Sequence, residues 1–458
     1  MLELSLEEIT RAAEGTLVSE GRGGPVKGFS IDSRTIAPGE MFIAVKGRDL
    51  DGHHFIPEAL SRGASGVIMK GTPSAELISS GRHFIVAGDT LKAMAGVASS
   101  IMRTADIPVI GITGTNGKTT VKDITSALLS SKYEVLKSEA SYNNIFGVCL
   151  TIFGMKSYHR RAVIEIGTNS PGEIAFLSRI CSPEAVIITN IGCGHLDGLV
   201  DRGGVLREKL SILERLSRDD IAILNGDDDL LARVEPPRCR FFFCGTGRNC
   251  GIRISDITTV PDGIEFKVDG EKFFFPGQGR HNAYNVAFSV AMARMMGITK
   301  EQARNALRDI RLPSMRLQKV ELSGLTFFND AYNANPGSFR AAIEVLETFP
   351  AGTERWVVAG DMNELGLMSD DLHRSLGMSI AAAGVDFLIT LGERSKETRA
   401  GAIEAGMSPE KTYAASSHND AASKIARKAP PGTAVLVKGS RSMKMEEVIR
   451  CFTTCCIP

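Results

Sequence analysis

Between Pro108 and Thr120 the chain reads Pro-Val-Ile-Gly-Ile-Thr-Gly-Thr-Asn-Gly-Lys-Thr-Thr, an apolar run that breaks into glycine, lysine and threonine. Residues of these types at this spacing can hold a nucleoside triphosphate. A glycine-rich turn aims backbone N–H groups at phosphate, and a helix starting near Thr119 adds the positive end of its dipole. Lys118 can reach the terminal phosphates and Thr119 can ligate magnesium. The strict G-x-x-x-x-G-K-[ST] pattern fails because position 112 is isoleucine; Gly114 instead opens the shorter form Gly-Thr-Asn-Gly-Lys-Thr. An apolar strand before it, and the helical spacing of Val121, Ile124 and Leu128 after it, supply the strand–turn–helix setting this chemistry needs.

Further polar residues fall at the carboxyl ends of apolar runs, where open α/β sheets collect ligands. Glu165 closes the run 162–166 and could bind magnesium beside Thr119; Asn190 follows 185–189, with His195 close behind. On spacing alone, an ordinary satisfied polar residue is the commoner explanation of a lone Glu or His. Asn143-Asn144-Ile-Phe-Gly147 reads as a polar turn before the apolar 148–153, with backbone capping as its plain explanation. Gly279-Arg-His-Asn282-Ala-Tyr-Asn285 precedes an apolar helix that Asn282 could cap. The stretch from Asn329 through Asp330, Asn333 and Asn335 to Pro336 carries more hydrogen-bonding groups than a turn requires and reads as a ligand contact.

The elements that must position these residues form three α/β segments. Residues 1–102 alternate short strands (41–45, 66–69, 84–87) with helical stretches such as 90–102. Residues 103–313 start with the phosphate turn and continue with strands 162–166, 185–189 and 221–224, which implies a mainly parallel sheet covered on both faces. Short runs at 241–244, 264–268 and 272–275 suggest an inserted antiparallel patch ahead of a buried helix at 284–296. Residues 314–458 restart the alternation with strands 325–328, 355–359, 387–391 and 434–437, a Rossmann-like domain. Pro236-Pro237 and Pro430-Pro431 punctuate loops.

Lys+Arg and Asp+Glu both number 53, so no global field attracts nucleic acid or an anionic membrane, and any anion site must be local. The first residues carry acids where a secretory signal carries a basic segment, and no window approaches the roughly twenty apolar residues of a membrane span. A cytoplasmic protein is expected. Its nine cysteines are odd in number and mostly scattered, which favours reduced thiols. The final Cys455-Cys456-Ile457-Pro458 imitates a prenylation box only by chance, since proline is not a usual last residue.

Taken together, these segments resemble the Mur ligase family, ATP-dependent amide-forming enzymes of bacterial cell-wall precursor synthesis, over nearly the whole chain. Thr113–Thr120 has the family's own short form of the phosphate turn, and Glu165, His195, Asn282, Arg316 and Asp330 follow in the family's order. Four segments are similar to the branch that adds a terminal dipeptide: Asn143–Gly147, Asp330–Pro336, Gly360-Asp-Met-Asn-Glu-Leu-Gly366 and Val437-Lys-Gly-Ser-Arg-Ser442. Ser170 and Val121 depart from the family, which often has histidine and threonine there.

The resemblance implies three domains: a small α/β N-terminal UDP-binding domain (1–102), a central mainly parallel-sheet P-loop domain (103–313) and a C-terminal Rossmann-like domain (314–458). It implies ATP and magnesium as cofactors, the metal in up to two sites, with UDP-N-acetylmuramoyl-tripeptide and D-alanyl-D-alanine as partners of a monomer. Gly114, Thr115, Asn116, Gly117, Lys118, Thr119 and Thr120 would hold the phosphates, while Asn282, Arg316 and Asp330 would hold adenine, phosphate and ribose. Thr119, Glu165, His195 and Lys209 would serve the metal. Lys209, fourteen residues after His195, matches a lysine that is carbamylated in the family; with Lys118 and His195 it forms the implied catalytic set. An ordinary solvated lysine is the reading of Lys209 without the resemblance. Ser33, Arg34, Lys46, Gly47 and Asp51 match the uridine-nucleotide domain. Asn143, Asn144, Asn333, Asn335, Lys438, Ser440 and Arg441 complete the implied substrate contacts. Other readings are a Mur ligase adding diaminopimelate or lysine, a folylpolyglutamate synthase, or a nucleotide-driven switch protein.

Overall fold

The structure, a computed structural model, describes residues 4–22, 24–47, 49–235, 238–310 and 313–455 and builds them around three sheets. Pro236-Pro237 and the last three residues of the cysteine tail lie outside the described residues. Among the described residues, no helix is long and apolar enough to cross a membrane.

The first sheet runs, edge to edge, Gly15–Ser19, His83–Ala87, Gly66–Met69, Glu40–Ile43, Gly28–Ser30; only the first of these strands is antiparallel to its neighbour. The helix Thr90–Ala105 leaves this sheet, with Asp89 accepting from the Leu91 and Lys92 amides at its start and left-handed Asp106 ending it. It packs against Leu6–Ala12 on one side and against Ile145–Phe153 and Glu173–Cys181 on the other. Its buried Met94, Val97 and Ile101 belong to one core that extends from Met41, Ile68 and Ile85 in the first sheet to Val148, Leu177 and Ile188 in the second unit. Each such side chain contributes about 1.5–3 kcal/mol by burial, so this shared helix fixes the first two sheets against each other.

The nine-stranded second sheet is ordered Glu271–Phe275, Gly263–Val268, Ile252–Val260, Arg240–Gly245, Ile221–Asn225, Ala185–Ile188, Val109–Thr113, Arg161–Glu165, Val135–Lys137. From Ile252–Val260 onward every pairing is parallel. Val109–Thr113 is buried along its whole length, which is why its sequence is continuously apolar rather than alternating. Its neighbours come from opposite directions of the winding, so a crevice opens at its carboxyl end, where the phosphate turn begins.

The antiparallel patch differs from expectation in two ways. Arg240–Gly245 pairs in parallel with Ile221–Asn225 and belongs to the main sheet. The strand that opens the patch is Ile252–Val260, which the sequence hid because Ser255, Asp256, Thr258 and Thr259 break the apolar alternation around a register shift, with Asp256 at φ +51°.

The third sheet is ordered Gln318–Leu322, Leu325–Asp330, Ala434–Lys438, Arg355–Gly360, Phe387–Leu391, Thr412–Ala415, and only the first strand is antiparallel. Separate apolar cores cover its two faces. Both edge strands went unpredicted, being short and poor in buried residues.

Candidate active site

The phosphate turn is held by its glycines and by the next strand. A Cβ at Gly114 (φ +145°) would lie 1.9 Å from Thr189 Oγ1, and one at Gly117 (φ +83°) would lie 2.6 Å from Asn285 Oδ1. Only glycine fits either place. The Thr115 amide donates to Asn190 O (2.9 Å) and the Asn116 amide to Asn190 Oδ1 (2.9 Å), while Gly192 N donates to Thr115 Oγ1 at 2.8 Å. Thr189 Oγ1 and Asn190 Nδ2 both donate to Asn116 O. These bonds correct one expectation: the Thr115 and Asn116 amides face the neighbouring strand end and not a phosphate. Among the described residues, the amides of Gly117, Lys118, Thr119 and Thr120 make no hydrogen bond within the chain. They open the helix Lys118–Ser130, an arrangement of free amides that can cradle an anion.

Lys118 Nζ folds back onto Gly114 O (2.8 Å) and Thr115 O (3.1 Å). Burial pulls its ammonium below the ordinary lysine range, against the opposing pull of the Glu165 carboxylate. An anion in the cradle would replace both carbonyls with a better partner for the charge.

Glu165 is 1% exposed; its Oε1 accepts from Asn143 Nδ2 at 2.8 Å, and its Oε2 is buried without any partner. A carboxylate oxygen left so is destabilising unless a cation meets it. Thr119 Oγ1 lies 3.1 Å from Ser141 Oγ in the same cavity. Among the described residues no three His, Cys, Asp or Glu side chains converge as a metal cage. One carboxylate and a hydroxyl beside a phosphate cradle suit magnesium, which keeps water and phosphate oxygens among its ligands.

Lys209 is also 1% exposed, but it does not line the cavity. Burial first, and then the charge of Lys118, push its pKa well below the ordinary value, with Glu208 opposing. The solvated reading of this lysine is therefore wrong. A neutral amine is what carbamylation needs.

The third unit reaches the turn through two residues. Arg316, between Met315 (φ +57°) and Leu317 (φ +52°), donates from Nη2 to Thr119 Oγ1 at 2.9 Å and stacks 4.2 Å from the Tyr332 ring centroid. Asn335 caps the helix Pro336–Glu347 and exchanges two bonds with Asn116: Nδ2 to Asn116 Oδ1 at 2.7 Å, and Asn116 Nδ2 to its own Oδ1 at 3.2 Å. Behind them Asp330 accepts from Leu317 N (3.0 Å) and pairs with Lys438 Nζ (2.5 Å), which also donates to Asn333 O (2.9 Å). Asn333 Oδ1 accepts from Ala334 N at 2.9 Å.

Asn282 is not the helix cap. The helix begins at His281 without a side-chain cap, and Asn282 Nδ2 donates to Gln278 O (2.7 Å) while its Oδ1 accepts from Asn285 Nδ2 (3.0 Å). Beside it, burial lowers His281 to about 4, so this imidazole is neutral across the ordinary pH range.

One cavity of about 970 Å³ gathers Thr115–Thr120, Asn143, Glu165, His195, Asn282, Arg316, Asp330, Asn333, Asn335 and Lys438. Other candidates lie off it. Asn144 is a helix cap accepting from Gly147 N at 2.9 Å, so the plain explanation holds for this asparagine and not for Asn143. Ser440 Oγ accepts from Asn363 N (2.7 Å), and Arg441 is paired through both terminal nitrogens with Glu446.

In the first unit Arg34 grips Asp32 with two bonds and lowers that carboxyl to about 2, and Ser33 donates to Glu58 (2.7 Å). The backbones of Lys46 and Asp51 form an isolated antiparallel bridge, and Gly47 N donates to Leu50 O (2.8 Å); Asp51 Oδ1 also accepts from the His53 amide and lies 2.6 Å from its ring Nδ1. None of these five residues lines the cavity, and Ser33 is buried.

Sequence reasoning gave no role to Ser141, Asn285 or Glu364, although Asn285 ends the singled-out segment Gly279–Asn285, three residues after Asn282 on the same helix face, and Glu364 lies within Gly360–Gly366.

The chain matches the models of the Mur ligase family catalytic domain at residues 25–111, the Mur ligase middle domain at 112–293 and the Mur ligase glutamate ligase domain at 315–441. It is 32% identical to the UDP-N-acetylmuramoyl-tripeptide–D-alanyl-D-alanine ligase of Bacillus subtilis, over 98% of each chain. Among solved structures, MurF from Acinetobacter baumannii superposes with a TM-score of 0.90 at 26% identity over 99% of each chain. MurF ligase from Thermotoga maritima in complex with ADP gives 0.84 at 26% identity, over 94% of this chain and 97% of that one.

Proposed function

We propose that this chain, which belongs to the Mur ligase family, joins D-alanyl-D-alanine to UDP-N-acetylmuramoyl-tripeptide at the expense of ATP, forming the pentapeptide and releasing ADP and phosphate. The full-length similarity to relatives bearing this one activity carries the reading. The meeting of Arg316 and Asn335 with the phosphate turn supports it, because two domains then share one triphosphate site.

In this mechanism the tripeptide carboxylate attacks the γ-phosphorus of ATP and the bond to the β,γ-bridging oxygen breaks, giving an acyl phosphate and ADP. The dipeptide amine then attacks the acyl carbon, phosphate leaves, and the amine gives up its proton. The protein supplies position and charge and no nucleophile. Lys118 leaves the Gly114 and Thr115 carbonyls for the transferring phosphoryl group, and the Gly117–Thr120 amides hold the phosphates. Arg316 adds positive charge from the other side and keeps water out with its domain. Thr119 and Glu165 would hold magnesium, with His195 and a carbamylated Lys209 serving a second site; bound there, the metal would offset charge developing on phosphate oxygens. Asp330 and Asn282 bound the nucleoside end. Ser33, Arg34, Lys46, Gly47 and Asp51 are assigned to the uridine nucleotide, and Asn143, Asn333 and Lys438 to the reacting peptides.

The test is a mass-resolved assay of the purified chain with ATP, the UDP-tripeptide and D-alanyl-D-alanine. A product heavier by one dipeptide unit, with phosphate release requiring both substrates, is expected. Phosphate release indifferent to both would overturn the reading in favour of a switch protein.

A further inference from the structure

We infer that Glu364, carried by the third domain, is a positioning residue for His195 and orients that imidazole only while the two domains are closed on each other. This inference rests on the ligase reading above. Glu364 lies in the loop between the strand Arg355–Gly360 and the helix Ser369–Ala382, whereas His195 follows the strand Ala185–Ile188 of the central sheet. The two meet across the interface, with Glu364 Oε2 at 2.7 Å from His195 Nδ1. Nδ1 is buried and, although Glu364 Oε2 is the charged atom beside it, makes no aligned hydrogen bond. The loops are also tied by Leu196 N donating to Glu364 O at 2.9 Å, and a Cβ at Gly366 would come within 3.4 Å of Asp197 Oδ1.

The backbone supplies a second, independent observation. His195 (φ +57°) and Glu364 (φ +62°) are both left-handed and neither is glycine. Glycine would take either conformation without strain. The Glu364 side chain is 52% exposed, so core packing does not explain its place. Two strained residues from different domains, in contact beside the cavity that His195 lines, fit a site in which side-chain chemistry outweighs backbone comfort.

The chemistry follows from which nitrogen bears the proton. A carboxylate aligned on Nδ1 would hold the proton there and leave Nε2 as the lone-pair nitrogen available to the cavity that His195 lines. When the third domain swings away, the carboxylate leaves with it and the tautomer is no longer fixed. Activation of the peptide acid thereby depends on docking of the third domain, which protects the acyl phosphate from water.

The test uses the full-length chain and two variants. Glu364→Gln removes the charge and keeps the backbone; Glu364→Gly removes the side chain and relieves the left-handed strain. Both should lower kcat for dipeptide joining about ten- to a hundred-fold, with little change in KM for the UDP-tripeptide. Thermal unfolding of Glu364→Gly should be unchanged or raised, which separates positioning from a structural role. Histidine ¹⁵N resonances, with His195 assigned through His195→Gln, should show Nδ1 protonated in the parent and a shift towards the Nε2–H tautomer in both variants. An identical His195 tautomer in all three proteins, or undiminished kcat in both variants, overturns the inference. If the parent itself joins no dipeptide, the ligase reading fails, and the ¹⁵N comparison still decides whether Glu364 orients His195.

Discussion

Asp330 and Lys438 form a buried pair whose disruption has a calculable consequence. The Lys438 side chain is 2% exposed and that of Asp330 14%, and the bonds to Leu317 N and Asn333 O hold the pair in place. Asp330→Ala strands an ammonium in the third domain's interior, and breaking a buried pair from one side costs about 3–5 kcal/mol. With a urea dependence of about 1.5–2 kcal/mol per molar for a domain this size, the midpoint should fall by roughly 2 M. Trp356 is the chain's single tryptophan and stacks on Phe387 at 4.3 Å within the same sheet, so its fluorescence follows this domain's unfolding.

Replacing both partners, as in Asp330→Leu with Lys438→Met, should recover most of the loss, because an apolar pair of similar volume needs no desolvation of charge. The pH dependence fixes the sign independently. Burial already lowers Lys438, with Asp330 opposing, so removing Asp330 lowers it further. Between that depressed value and the ordinary lysine value the unfolded chain binds the extra proton, so Asp330→Ala should gain stability as pH rises, by at most about 1.4 kcal/mol per pH unit. A single variant that loses less than about 1 kcal/mol, or a double variant as unstable as the single, would refute this account.

Other consequences follow from the same geometry. Lys118→Ala should lower phosphate release by about a hundred- to a thousand-fold while leaving the thermal midpoint in place, as checked by a coupled phosphate assay and calorimetry. Gly117→Ala forces a Cβ against Asn285 Oδ1 in a left-handed backbone, so calorimetric titration with a non-hydrolysable ATP analogue should show affinity falling about ten-fold or more. Lys209→Met should abolish joining yet, compared with the uncarbamylated parent in bicarbonate-free buffer, leave stability equal or higher near neutral pH, since it removes a buried amine. The parent's stability relative to that variant should rise with pH across the window between the depressed Lys209 pKa and the ordinary lysine value, as denaturant midpoints would show.

What the sequence determined by itself is local. The continuous apolar run before Gly114 announced a buried strand, the glycines announced a turn, and Lys118 and Thr119 raised the expectation of a phosphate site, because each signal resides in a few consecutive residues. The alternation of strand and helix gave the three α/β units for the same reason. Capping at Asn144 was legible, since a cap needs only the next three residues.

Tertiary structure alone decided the rest. Asp330 and Lys438 neutralise each other across 108 positions, Arg316 reaches Thr119 across 197, and Asn335 clasps Asn116 across 219. No local pattern encodes such pairs: their partners are chosen by which strand ends the sheets bring together. The same holds for Glu165, whose orphaned oxygen became visible only once its burial was known, and for Lys209, an unremarkable residue of a polar helix until folding removed it from water. Charge and hydrogen-bonding capacity are written in the side chain, but the dielectric surroundings and neighbours that turn them into chemistry are properties of the packed chain.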